Sequence, residues 1–441
     1  MKGKKLFLFF IGLFSMTQIS VIGSIGISEL VVFVLAPFYF MQNYALLKHD
    51  GFLPAIYLSL FSLVGCCIAS FYNDIHFAFF LRGFASTYSI FAAIVCYHHL
   101  LRNNFTGIKW FLIGLCLTGI LSTFVFQRSV ESMLYAGGET GIEVADQIMS
   151  SPIYWIQRLS PIVALPYRAW YFSTPLAYSV LAPLAMAAFC ILSSSSGRSA
   201  ALGLIAGSAI IFIGKKSIAK MRNISRNILI YSILAVGSIW VANFAYRIAA
   251  TSGTLGDKAQ AKYEAQTQGS SSVLKLLMGG RLAFFIGLYA GCKQPIIGYG
   301  PWAIDRYGYT EQFLSKYGTA EDYDNLVNSY AYMQGKTMYI PAHSHIVLFW
   351  ISNGILGLLF WLYVLWKIFE YFRGNLAVVP QWYGLLAAGT PPILWDIFFS
   401  PYTSRMYFPF FFVMILFANA IAKGKIPLPH ETINEVFRRK Q

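Results

Sequence analysis

The sequence predicts an all-α, polytopic integral membrane protein, and three observations carry that prediction. Only 12% of the 441 residues are charged against 57% hydrophobic, where soluble domains carry about 25% charged residues. Apolar runs of about 20 residues recur along most of the chain, each long enough to cross a hydrocarbon core about 30 Å thick as a helix. The strand-period alternation of a transmembrane barrel is missing, and in lipid a helix satisfies its own backbone.

Taken in order, the runs begin near residues 5, 28, 52, 77, 108, 175, 199, 228, 346, 381 and 405. The first, in MKGKKLFLFFIGLF, has the basic start and apolar run of a signal peptide; no clear A-x-A site follows, so it reads as an uncleaved span. Residues 128–170 and 248–342 are too polar to cross as a whole. Basic clusters in KKSIAKMRNISRN (215–227) and in KGK and RRK near the C-terminus belong in the cytoplasm. Charge signals from the two ends agree only with one more crossing before residue 175. SSPIYWIQRLSPIVALPY (150–167), short and carrying Arg158, is its expected place, as a broken or re-entrant helix.

About 12 transmembrane helices with both termini cytoplasmic follow from this count. The organisation is then a helix bundle over 1–247 with about nine spans and an outer loop near 128–170, one long outward loop over 248–342, three spans within 343–424, and a cytoplasmic tail over 425–441. The net charge of +15 reads as topogenic and membrane-surface charge, not as affinity for nucleic acid. Five of the six cysteines, at 66, 67, 96, 116 and 190, fall in apolar runs and leave only Cys292 in the long loop, so no disulfide framework is expected.

On this topology the outward face collects Arg198 in SSSSGRSAA, Arg281 in LMGGRLAFFIGLYAG, and the pair His343 and His345 at the start of a span. Arginine presents a planar fork suited to phosphate oxygens, and two forks suit a diphosphate. The plainer readings are a snorkelling arginine at 198, an interfacial anchor at 281 and packing histidines. A metal needs more ligands than an H-x-H pair, and no Cys, Asp or Glu cluster accompanies it. A histidine at a helix start is held neutral by the helix dipole, which is the form a general base requires. The D-x-D at Asp322 and Asp324 lies in a polar loop where acidic turn residues need no further explanation. No phosphate loop and no G-x-S-x-G elbow is present.

Four pieces in order, SSGRSAALGLIAG (195–207), GGRLAFFIGLYAGCKQPIIGYGP (279–301), the long loop, and HSHIVLFWISNGILG (343–357), resemble the O-antigen ligase and polymerase superfamily of bacterial surface-polysaccharide assembly. His343 stands eleven residues before Gly354, the first glycine of a G-x-x-G pair with Gly357; Ser344 replaces the asparagine usual in the family. The resemblance implies a GT-C-like membrane glycosyltransferase of the inner membrane, metal-independent and inverting, with no cofactor, its active site facing the periplasm. The donor would be a glycan on undecaprenyl diphosphate and the acceptor lipid A-core of lipopolysaccharide or another lipid or glycan. Arg198 and Arg281 would bind the diphosphate, and His343 would orient or deprotonate the acceptor hydroxyl. His345, Lys336, Arg306 and Arg168 are secondary candidates. An O-antigen, capsule or exopolysaccharide polymerase is the alternative within the superfamily, and a transporter of lipid-linked sugars the alternative outside it.

Overall fold

The computed structural model describes residues 2–15, 18–20, 24–102, 104–124, 184, 205–210, 247–248, 251–252, 281–317, 339–375, 378–400, 402 and 406–427. Nearly all of the predicted crossings near 175, 199 and 228, and the whole stretch 150–167, lie outside these residues.

The first apolar run is realised as a helix of only 12 residues, α1 (Lys2–Leu13). At 1.5 Å per residue it spans about 18 Å, short of a hydrocarbon core. Beyond it, Ser15, Gln18, Ser20, Ser24 and Gly26 thin the helix propensity. Two three-residue strands, β1 (Gln18–Ser20) and β2 (Ser24–Gly26), pair antiparallel there.

The next four helices begin within one residue of their predicted starts: α2 (Ile27–Asp50), α3 (Leu53–Tyr72), α4 (Phe77–Leu101) and α5 (Gly107–Phe124). Gly51 at φ 80 ends α2 in a left-handed cap whose N–H donates to Leu47 and Lys48, and Pro54 opens α3. The later elements are α6 (Leu282–Lys293), α7 (Tyr309–Tyr317), α8 (His345–Glu370) with a π turn at Tyr371–Asn375, α9 (Pro380–Phe399) and α10 (Tyr407–Ala422). Among the described residues, four helical stretches are long and apolar enough to cross a membrane: 27–50, 53–72, 77–101 and 345–373. The chain is thus a largely helical, multi-pass membrane protein.

Burial sorts the helices. α2 turns Val34, Phe38 and Met41 outward, as a lipid-facing helix does. α10 is buried on every side from Phe408 to Ile421, the pattern of a central helix. Around it the core is aromatic, with Phe111 stacked on Phe410 at 4.1 Å and Tyr97 edge-on to Phe410 at 5.4 Å.

One end of the bundle gathers basic groups. The fully buried Asp50 carboxylate is shared by His98 Nε2 (2.9 Å) and the Arg102 guanidinium, while Lys4 Nζ donates to the His99 carbonyl (3.0 Å). Lys367 and Lys423 flank Glu370. The N-terminus of α1 and the C-termini of α2, α4, α8 and α10 therefore share this end, with Lys48, Lys109 and Lys425 alongside.

α8 is not a straight rod. Gly354 sits at φ 63, ψ −154, a region essentially confined to glycine, and there the helix breaks. The two arms fold back on each other: the His345 ring lies 5.1 Å from Trp361, sixteen residues on, where a straight helix would separate them by about 24 Å. A Cβ on Gly357 would stand 2.2 Å from the Phe349 carbonyl oxygen, so the arms touch backbone to backbone. The run predicted near 346 as a single straight crossing is therefore a helical hairpin, whose second arm, 355–373, keeps the length of a span at about 28 Å. Its first arm, 345–353, covers about 13 Å, too little to span.

The break is closed by the segment after α6. Ile355 N donates to Ile296 O (2.9 Å), and Tyr299 N donates to Ile351 O (2.6 Å), supplying partners that the helix ladder no longer does. Trp350 Nε1 reaches Pro295 O at 2.9 Å, and Asn73 on α3 holds Gly298 O at 3.0 Å. At the tip, Asn353 Nδ2 donates to the hydroxyls of Ser62 (2.9 Å) on α3 and Thr87 (3.2 Å) on α4. Irregular backbone inside a membrane protein survives only when buried in protein or lining water, and here protein fills the break.

Candidate functional site

The site lies at the bundle end opposite the basic cluster and is built from three pieces of backbone. The first is the segment 339–342, held by Ile340 N donating to Ala303 O (2.9 Å) and by an isolated bridge between Ile304 and Tyr339. It delivers His343 to the mouth of the α8 hairpin. Ser344 then caps α8, its hydroxyl accepting from Val347 N (3.3 Å) and donating to Ile397 O of α9 (2.9 Å). Ser344 is completely buried and anchors the histidine's backbone to a neighbouring helix.

The two histidines, one residue apart from this cap, have opposite surroundings. His345 is 2% exposed, packed in an aromatic box of Trp361, Tyr402 (5.0 Å) and Phe408 (6.0 Å). His343 is exposed on one side, yet protein crowds the rest of its ring. That burial, reinforced by the charge of Arg281, holds its imidazole below the ordinary histidine range. The neutral form therefore prevails at neutral pH.

Arg281 precedes α6 and lies over two rings of α9, with its guanidinium carbon 4.8 Å from the Trp395 centroid and 5.6 Å from Phe399. Burial lowers its pKa, but a guanidinium stays charged in any such setting. α6 packs its small residues against the first arm of α8: a Cβ on Gly287 would meet Pro341 O and Val347, and one on Gly291 the Trp350 ring. This contact brings Arg281 and His343, 62 residues apart in sequence, into electrostatic range.

Of the other sequence candidates, Arg306 stands exposed in the turn before α7, next to Asp305, whose carboxylate caps that helix through Tyr309 N and Thr310 N (2.8 Å each). Arg198, Arg168 and Lys336 lie outside the described residues. Among the described residues no group of three His, Cys, Asp or Glu side chains is placed to hold a metal ion. Cys66, Cys67, Cys96 and Cys292 are free thiols, and Cys292 lies exposed on α6.

Sequence reasoning missed three groups at this end: Trp395 and Phe399 under Arg281, and Arg82 on α4, which lies 5.8 Å from the Phe79 ring and 5.9 Å from Trp302. Arg82 sits inside an apolar run, and an ionisable residue there is by default a functional signal. An arginine able to share phosphate oxygens, backed by electron-rich rings and set beside a neutral histidine, is an arrangement that can bind an oxyanion and accept a proton next to it. Set against family models and curated proteins, the chain finds no match in either.

Proposed function

We propose that this chain is an O-antigen ligase-like glycosyltransferase, which moves a glycan from an undecaprenyl-diphosphate carrier to lipid A-core or another surface acceptor. The reading rests on the resemblance of the four sequence pieces, and the observation that carries it is that Arg281, held over the rings of α9, is near enough to act electrostatically on His343. Arg281, joined by Arg198, takes up charge on the diphosphate as the sugar–phosphate bond breaks. His343 accepts the proton of the acceptor hydroxyl as that oxygen attacks the anomeric carbon from the opposite face, and the configuration inverts. No metal and no cofactor takes part.

The basic end of the bundle, with Lys4, Lys48, Arg102, Lys109, Lys423 and Lys425, fits the cytoplasmic side by the positive-inside rule. His343 and Arg281 then face the periplasm, in a bundle of about twelve crossings in the bacterial inner membrane. The hairpin of α8 supports this reading, because an in-turned arm brings a histidine toward the depth of a lipid-borne diphosphate. A polymerase of capsule, exopolysaccharide or O-antigen repeats uses the same groups with a different acceptor.

A transporter of lipid-linked sugars is the second reading, and the broken helix is the observation in its favour, since discontinuous helices form transporter binding sites. Against it, the freed backbone groups at Gly354 are taken by Ile296 and Tyr299 of the chain itself. Reconstituted protein with lipid-linked oligosaccharide and candidate acceptors tests the choice. Transfer that is lost in His343→Ala, Arg198→Ala and Arg281→Ala, with folding intact and EDTA without effect, supports the enzyme, and product length separates ligase from polymerase. Full activity in those variants, or movement of the lipid without bond cleavage, overturns it.

A further inference from the structure

Trp302 has φ 55, and left-handed backbone is a genuine outlier for a bulky side chain. Its neighbours hold it there. Pro301 presses on Gly83 of α4 so closely that a Cβ on that glycine would lie 2.2 Å away, and on the other side Ala303 pairs with Ile340. The result is a ring that is 41% exposed, nearly parallel to Phe79 at 6.3 Å and edge-on to Tyr339 at 6.1 Å. Arg82, the residue before Gly83, lies against both Phe79 and Trp302.

Tryptophan at a membrane interface needs no ligand to explain it. An interfacial anchor, however, can sit on relaxed backbone, whereas strained residues held by their surroundings cluster at ligand clamps. Three rings and a guanidinium in one corner offer apolar faces for the C–H side of a sugar ring and donors for its hydroxyls. The corner is rooted in Tyr339, four residues before His343 on the extended segment that leads to it. Each of the two arginines, Arg82 and Arg281, is backed by an aromatic pair.

We infer that Phe79, Arg82, Trp302 and Tyr339 form a saccharide-binding corner that seats a sugar of the acceptor on the segment leading to His343, leaving Arg281 to the donor diphosphate. The inference rests on the transfer reading for its assignment to the acceptor, but saccharide binding itself does not.

Two measurements on the full chain in detergent keep these apart. In the first, saturation-transfer NMR uses methyl glycosides of glucose, galactose and N-acetylglucosamine as probes against wild type, Trp302→Phe and Trp302→Gly. Glycine relieves the left-handed backbone, so that variant stays folded while the ring is gone. Saturable binding of at least one probe, kept in Trp302→Phe and lost in Trp302→Gly, is expected; no saturable binding to wild type, or binding unchanged in Trp302→Gly, overturns the corner. In the second, the transfer assay with Trp302→Gly and Arg82→Gln is expected to raise acceptor KM about threefold to tenfold, with donor KM unchanged. A rise in donor KM alone, or no change in either, overturns the acceptor assignment. Probe binding in a protein that transfers nothing marks failure of the transfer reading and leaves the corner standing.

Discussion

The guanidinium of Arg281 acts on the imidazole of His343 across the contact between α6 and the first arm of α8, adding to burial in lowering the histidine's pKa. A cation that binds phosphate and a base that accepts a proton are commonly in conflict within hydrogen-bonding reach of one substrate. Here the same charge that would attract a diphosphate keeps the base deprotonated, so the two roles reinforce each other.

The pH dependence of transfer follows with a definite sign. kcat/KM is expected to fall as pH drops through the His343 pKa, and because that pKa lies below the ordinary 6.5, the fall comes at a pH lower than for a free histidine. In Arg281→Gln the residual rate should begin to fall at higher pH, since the neighbouring positive charge is gone. A midpoint that does not move when Arg281 is neutralised would separate the two residues electrostatically.

The two histidines should part company on mutation. His345→Ala empties an aromatic box and is expected to cost about 2–4 kcal/mol, in line with other large-to-small core changes, while the remaining folded protein still transfers. His343→Ala, which removes a ring open on one side, is expected to cost less stability than His345→Ala, about 1 kcal/mol or less, and to abolish transfer. Thermal unfolding in detergent set beside specific activity reads both; the reverse pattern would make His345 the functional base.

Gly354→Ala is expected to destabilise by about 1–3 kcal/mol through the backbone conformation alone. The new Cβ, 2.1 Å from Ile296 O, must also push the 294–299 segment away. Lower folded yield and faster proteolysis after Lys293 are the expected readouts. A variant as stable as wild type would mean that the hairpin can open into a continuous helix without loss.

Asn353 joins three elements through its amide, so its pairs can be measured by double-mutant cycles. Asn353→Ala with Ser62→Ala, and Asn353→Ala with Thr87→Val, are each expected to show coupling of about 0.6 kcal/mol, the average for hydrogen bonds between helices in lipid, and no more than about 1.7 kcal/mol. Coupling near zero in both would assign the tip of the hairpin to packing alone.

Much of the bundle is legible in the chain because length and apolarity are local properties. The starts of α2, α3, α4 and α5, and of α9 and α10 within two residues, follow from where apolar runs begin. The fold of α8 does not follow, since FWISNGILGLLFW has the same composition whether straight or doubled back, and glycines in an apolar run are compatible with either. What decides it is Ile296 and Tyr299, about 55 residues away, whose partnership is tertiary. At the site, His343 and Arg281 stood out because polar groups at the edges of apolar runs are conspicuous. Arg82 did not, because its meaning depends on Trp302, which only the folded chain sets beside it. The separation of the histidines was equally hidden, for the aromatic box around His345 is assembled from residues up to 408.

The doubled helix also bears on the order in which the protein is made. Residues 294–299 leave the ribosome before α8 does, but on their own they offer unpaired peptide groups that hydrocarbon will not accept. Neither the segment nor the break is stable in lipid without the other. Membrane insertion therefore delivers ingredients, and the hairpin with His343 at its mouth comes into being only as these pieces dock against α3 and α4, late in biogenesis.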